Sequence, residues 1–109
     1  MPVLTRQFIQ SFLGYLKFEK RYSIHTFTSY ETDLTDFFDY LNVHFGDVLL
    51  ADINHNFIRS WLADLKNRGL TSRSINRKIS SLKSFFKYHL RRGVIESTPM
   101  SYIISLKIS

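Results

Sequence analysis

Apolar residues recur at spacings of three and four in four stretches of this chain, the period of a helix with one buried side. From about Thr5 to Lys20, Phe8, Ile9, Phe12, Leu13 and Leu16 share a side. From about Ile24 to Val43, Phe27, Tyr30, Leu34, Phe37, Phe38 and Leu41 make a stripe that reaches towards Phe45. From about His55 to Asn67, Phe57, Ile58, Trp61, Leu62 and Leu65 do the same. From about Ser72 to Arg92 the core stripe is Ile75, Ile79, Leu82 and Phe86, flanked by Phe85 and Leu90. Ser23, Asn54 and Thr71 stand where N-caps belong, and Gly69 and Gly93 where helices stop. Gly14 falls inside the first stretch at a cost of about 1 kcal/mol against Ala. No stretch alternates with the period of two that a half-buried strand requires. The expected fold is therefore all-α, a compact bundle of four main helices. Met100 to Leu106 is read as a short fifth helix interrupted by Ser101 and Ser105, which would make a short C-terminal helical tail. Residues 1–95 are read as the helical domain and residues 96–109 as a tail opening a linker.

A length of 109 residues with 44% hydrophobic content fits one core without covalent staples. There is no Cys, so disulfides and thiolate metal sites are excluded, and a reducing cytoplasm is the expected location. No apolar run approaches the roughly 20 residues of a membrane span, and the N-terminal stretch MPVLTRQFIQSF lacks the pattern of a signal peptide. Neither a membrane nor a small-molecule ligand is expected as a partner.

Charge changes the picture more than composition does. Net charge is +6, but residues 65–95 hold nine Lys or Arg and no acid, while the other residues are slightly acidic in sum. A basic block on such a background points to a polyanion. Within it, the fourth helix passes up every Glu–Lys pair that an ordinary solvated helix face uses. Opposite Ile75 the wheel places Arg73, Arg77, Ser80, Ser81, Ser84, Tyr88 and Arg91, with Lys78, Lys83 and Lys87 on the flanks. Small hydroxyl side chains allow close approach to a surface, and Arg and Ser donate to phosphate oxygens. A helix fits the major groove of double-stranded DNA. The residues expected to reach bases are Arg73, Ser74, Arg77, Lys78 and Ser81, with Lys83 and Lys87 contributing charge. On the second helix, Thr26, Thr28, Ser29 and Thr32 are small polar groups near the positive end of the helix dipole. They read equally well as capping groups. Asp33, Asp36 and Asp39 bar the later half of that helix from phosphate and are expected to be solvated.

Nothing reads as an active site. His25, His44, His55 and His89 lack ligand spacing and are expected at the surface or at helix ends. There is no Gly-rich phosphate loop. No cofactor and no metal are expected. Of the aromatics, Tyr88 and then Tyr22 are the options for stacking on bases.

The stretch GLTSRSINRKISSLKSFFKYHLRRGVIESTPM resembles the last long helix of the N-terminal core-binding domain of tyrosine recombinases, the phage integrase family in its Xer-like branch. The likeness runs through Ser74, Ile75-Asn76-Arg77-Lys78, Ser81-Leu82, Phe85-Phe86, Gly93 and Thr98-Pro99, where family members typically carry Asn in place of Thr98. YSIHTFTSYETDLTDFFDYL is similar to the family's second helix through Ser23, Thr26, Tyr30, Asp33, Leu34 and Phe37. The resemblance implies a SAM-like domain forming half of a clamp on a recombination half-site, with the second and fourth helices on the major groove. It implies other recombinase protomers as partners on DNA, through contacts that could involve the first helix. The family's tyrosine nucleophile, arginines, lysine and histidines belong to its C-terminal domain, and none maps here, so this chain is expected to bind DNA without cutting it. Two readings stand beside it: a helical domain that binds an acidic protein, and a helix-turn-helix transcription regulator.

Overall fold

The computed structural model describes residues 3–106. Their helices are α1 (Val3–Phe18), α2 (Ile24–Phe45), a 3-10 turn (Leu50–Asp52), α3 (His55–Asn67) and α4 (Ser72–Arg91). There is no strand among the described residues. The all-α class and the four main helices agree with the periodicity, with ends displaced by two residues or fewer. The chain divides into two units, residues 1–50 and residues 51–109.

In the first unit, α1 packs on α2. α1 buries Thr5, Ile9, Phe12, Leu13 and Leu16, and Phe12 meets Tyr30 of α2 edge-on at 5.7 Å. Tyr22 closes α1 by donating its N–H to the Leu16 carbonyl, and its ring stacks on Tyr30. Ser23 then opens α2, accepting from the Thr26 N–H. α2 buries Leu34, Phe37, Phe38 and Leu41, as the spacing requires. It also buries Asp33, which is engaged with a partner rather than solvated as expected. A charged carboxylate loses hydration on burial, so it is tolerated only where protein groups replace water. Phe45 lies at the helix end and stays exposed.

In the second unit, Asn54 caps α3 by accepting from the Asn56 N–H at 2.9 Å, and Thr71 caps α4 by accepting from Ser74. α3 packs on α4. Trp61, Ile58 and Leu65 of α3 and Ile75, Ile79, Leu82, Phe85 and Phe86 of α4 are buried. Gly93 ends α4 with φ at +75°, a backbone state that costs a residue with a Cβ about 1 kcal/mol. The Val94 N–H returns to the His89 carbonyl at 3.0 Å, a Schellman closure. Beyond it Ile95, Met100 and Ile103 are buried. Residues 99–102 form turns, with the Ile103 N–H donating to the Met100 carbonyl, and 103–106 run without helix. The short helical tail read from Met100 to Leu106 is thus reduced to this turn. The buried apolar positions Met100 and Ile103 are spaced for a single turn, and Ile104 and Ser105 remain exposed.

Candidate nucleic-acid interface

α4 is 20 residues long and carries no acidic residue. Its buried positions are Ile75, Lys78, Ile79, Ser81, Leu82, Phe85, Phe86 and His89. At 100° per residue this buried arc is centred about 40° to one side of Ile75. The outward face turns with it. Arg73, Arg77, Ser80, Lys83, Lys87 and Arg91 are all exposed along it, with Ser84 half-buried beside them. Lys83 and Lys87, expected on the flank, move towards the middle of the row.

The same rotation takes Lys78 and Ser81 off the surface. Lys78 is only 6% exposed, its ammonium 6.0 Å from the centre of the Trp61 ring. The negative face of an indole ring attracts a cation that has lost water. Ser81 is 4% exposed. Both side chains therefore lie outside the exposed row of α4. Ser74 is half-buried, and its hydroxyl accepts from Thr71 Oγ1 at 3.2 Å, so it belongs first to the helix cap. Arg73 and Arg77 are exposed as expected, and Arg77 also engages a protein group.

On α2, Thr26, Thr28 and Thr32 are exposed and Ser29 is half-buried. Thr26 serves the cap: its hydroxyl lies 3.1 Å from Ser23 Oγ. Thr28 and Thr32 share a row that the exposed Thr35 continues, a residue the sequence reading passed over. Asp39 closes that row with negative charge. The turn between α1 and α2 adds exposed Lys20 and Arg21, with Lys17 just before it, close in sequence to the N-terminus of α2. Glu19 sits among these cations and interrupts their run along the chain.

The aromatic options lose ground. The Arg92 guanidinium lies over the Tyr88 ring at 5.4 Å, and one face of Tyr22 is covered by Tyr30. His89 lies in the last turn of α4, one of the two expected settings, but is buried there against Phe85 at 4.7 Å, whereas His25 and His44 are exposed. Among the described residues no three His, Cys, Asp or Glu are grouped to hold a metal ion, and no helix is long and apolar enough to cross a membrane.

α2 in the first unit and α4 in the second thus each open on a hydroxyl cap, and every Lys and Arg on the outer face of α4 stands without an acid on that helix. The family model for the phage integrase N-terminal SAM-like domain matches residues 9–93, and the chain belongs to that family. Among curated relatives it is similar to a tyrosine recombinase XerC of Listeria innocua, 38% identical over 105 residues that cover 93% of this chain and 33% of the relative. A tyrosine recombinase XerC of Chlorobaculum tepidum is 31% identical over 111 residues, covering 97% of this chain and 33% of the relative. The chain spans about a third of the length of the curated relatives it matches. The match is to the N-terminal domain of the family. No solved structure matches the chain.

Proposed function

We propose that this chain is the DNA-binding, core-binding domain of a tyrosine recombinase, and that it lays the outer face of α4 along the major groove of a recombination half-site. The observation that carries the reading is the run of exposed Arg73, Arg77, Lys83, Lys87 and Arg91 on a helix without one acid. Twenty residues of helix are about 30 Å long, enough to lie across a groove about 12 Å wide and meet phosphates on both walls. Ser80, between the cations, leaves the backbone free to approach. Arg73 and Arg77, in the first turns, are the residues for base edges; Lys83, Lys87 and Arg91 neutralise phosphates. On α2, Thr28, Thr32 and Thr35 supply a second, neutral set of hydroxyl donors.

Family membership supports the same reading, since the relatives are named recombinases. In the full-length protein, other protomers assembled on DNA are the expected partners, catalysis falls to a different domain, and the cytoplasm is the expected location.

The test is a charge reversal. Lys83→Glu with Lys87→Glu should weaken binding to a duplex of about 30 base pairs by roughly a hundredfold at low salt, since two phosphate contacts become repulsive. Circular dichroism should remain that of the parent. Unchanged affinity in a folded variant rules out α4 as the phosphate-facing helix. Displacement of the chain by acidic polypeptide but not by random duplex would favour a protein partner. A stable dimer without DNA would favour a transcription regulator.

A further inference from the structure

The side chain of Asn76 does something that neither the core nor the outer face of α4 requires. Its Nδ2 donates to the Leu106 carbonyl at 2.9 Å, and its Oδ1 accepts from the Leu106 N–H at 2.7 Å. One planar amide therefore satisfies both backbone groups of a single residue 30 positions away. Only Asn or Gln can do this, because a carboxylate has no donor and an alcohol cannot present both groups in one plane. The bonds are partly buried, so water competes with them weakly.

Among the described residues Ile103 is the last fully buried side chain of the tail, and Ile104 and Ser105 are exposed. Full hydrophobic burial thus holds the chain as far as Ile103, and at the half-buried Leu106 the two bonds from Asn76 carry the hold three residues further. Asn76 itself sits next to Arg77 on α4, at the edge of the outward face and half-buried.

We infer that Asn76 is a positioning residue: it fixes, on the helix that faces DNA, the point from which the chain following Leu106 departs. The second half of this inference rests on the proposed function; the tie itself does not. Without the tie the departure point retreats to Ile103, and three freed residues allow a swing of about 10 Å. With it, any domain carried on the following chain starts from a fixed place beside the α4–duplex contact, which raises its effective concentration there.

The absence of Cys allows site-directed spin labelling without a background. Labels at Ser105→Cys and Arg91→Cys should be roughly 20 Å apart, from the helical rise between positions 76 and 91. A narrow distance distribution is expected in the otherwise native chain. Asn76→Ala should broaden it by about 10 Å and abolish hydrogen-exchange protection of the Leu106 amide. Asn76→Asp keeps the acceptor and loses the donor, so it should fall between the two; it also serves if the Ala variant does not fold. Duplex affinity of Asn76→Ala without cysteines should stay within about twofold of the parent, because no phosphate contact is removed. Equal widths in parent and Ala variant, or a broad distribution in the parent, overturn the inference. So does a tenfold loss of affinity, which would make Asn76 a DNA contact. Failure of the parent chain to bind duplex would defeat the proposed function while leaving the distance result intact.

Discussion

α2 and α4 are close to the same length, 22 and 20 residues, and both open on a hydroxyl cap. Both bury a pair of adjacent phenylalanines, Phe37–Phe38 and Phe85–Phe86, set edge to face at 5.0 and 5.2 Å. Their inner faces follow one rule. Their charges do not: α2 carries Glu31, Asp33, Asp36 and Asp39 without a Lys or Arg, and α4 carries six Lys or Arg without an acid. A helix of this family's fold is therefore built equally well with either sign. The cationic row on α4 is not demanded by folding, and like charges on one face cost some stability. The proposed contact with duplex supplies a reason for the row that folding does not.

That comparison can be broken at several points. The largest effect should come from the inner faces. Phe38→Ala and Phe86→Ala should each destabilise by about 3–5 kcal/mol in chemical denaturation, because each empties a buried ring. A loss confined to one helix would mean that the two inner faces are not equivalent. Next come the lysines of α4, which differ by burial. Lys78→Ala should cost about 2 kcal/mol through the lost contact with Trp61, while Lys83→Ala should stay within about 0.5 kcal/mol. Duplex affinity should show the reverse order, falling for Lys83→Ala more than for Lys78→Ala. The smallest effect belongs to the caps: Ser23→Ala and Thr71→Ala should each lower stability by about 1 kcal/mol, read from the thermal midpoint.

Much of this was legible in the sequence, and for a local reason. The helices and their caps Ser23, Asn54 and Thr71 follow from periodicity and from side chains that bond two or three residues away. The misplacements share the opposite cause. Lys78, Ser81, Asp33 and His89 are polar, and a pattern reading puts polar residues outside. What draws Lys78 inward is an indole on another helix, and no window along α4 contains Trp61. Choosing Ile75 as the centre of the buried face then displaced the outer row. The arc is centred nearer Leu82 and Lys78 once the burial of Ser81 and His89 is known. The tie between Asn76 and Leu106 was beyond reach for the same reason: Asn76 reads as part of a motif, but its partner is a backbone group far along the chain.

The central claim is that the outer face of α4 meets phosphate. Fluorescence anisotropy of a labelled duplex of about 30 base pairs, titrated at several salt concentrations, tests it most directly. Each phosphate contact should contribute about −0.9 to the slope of log affinity against log salt, so the exposed cations of α4 predict a slope of about −3 to −5. A slope near zero, or no binding even at low salt, would contradict the account.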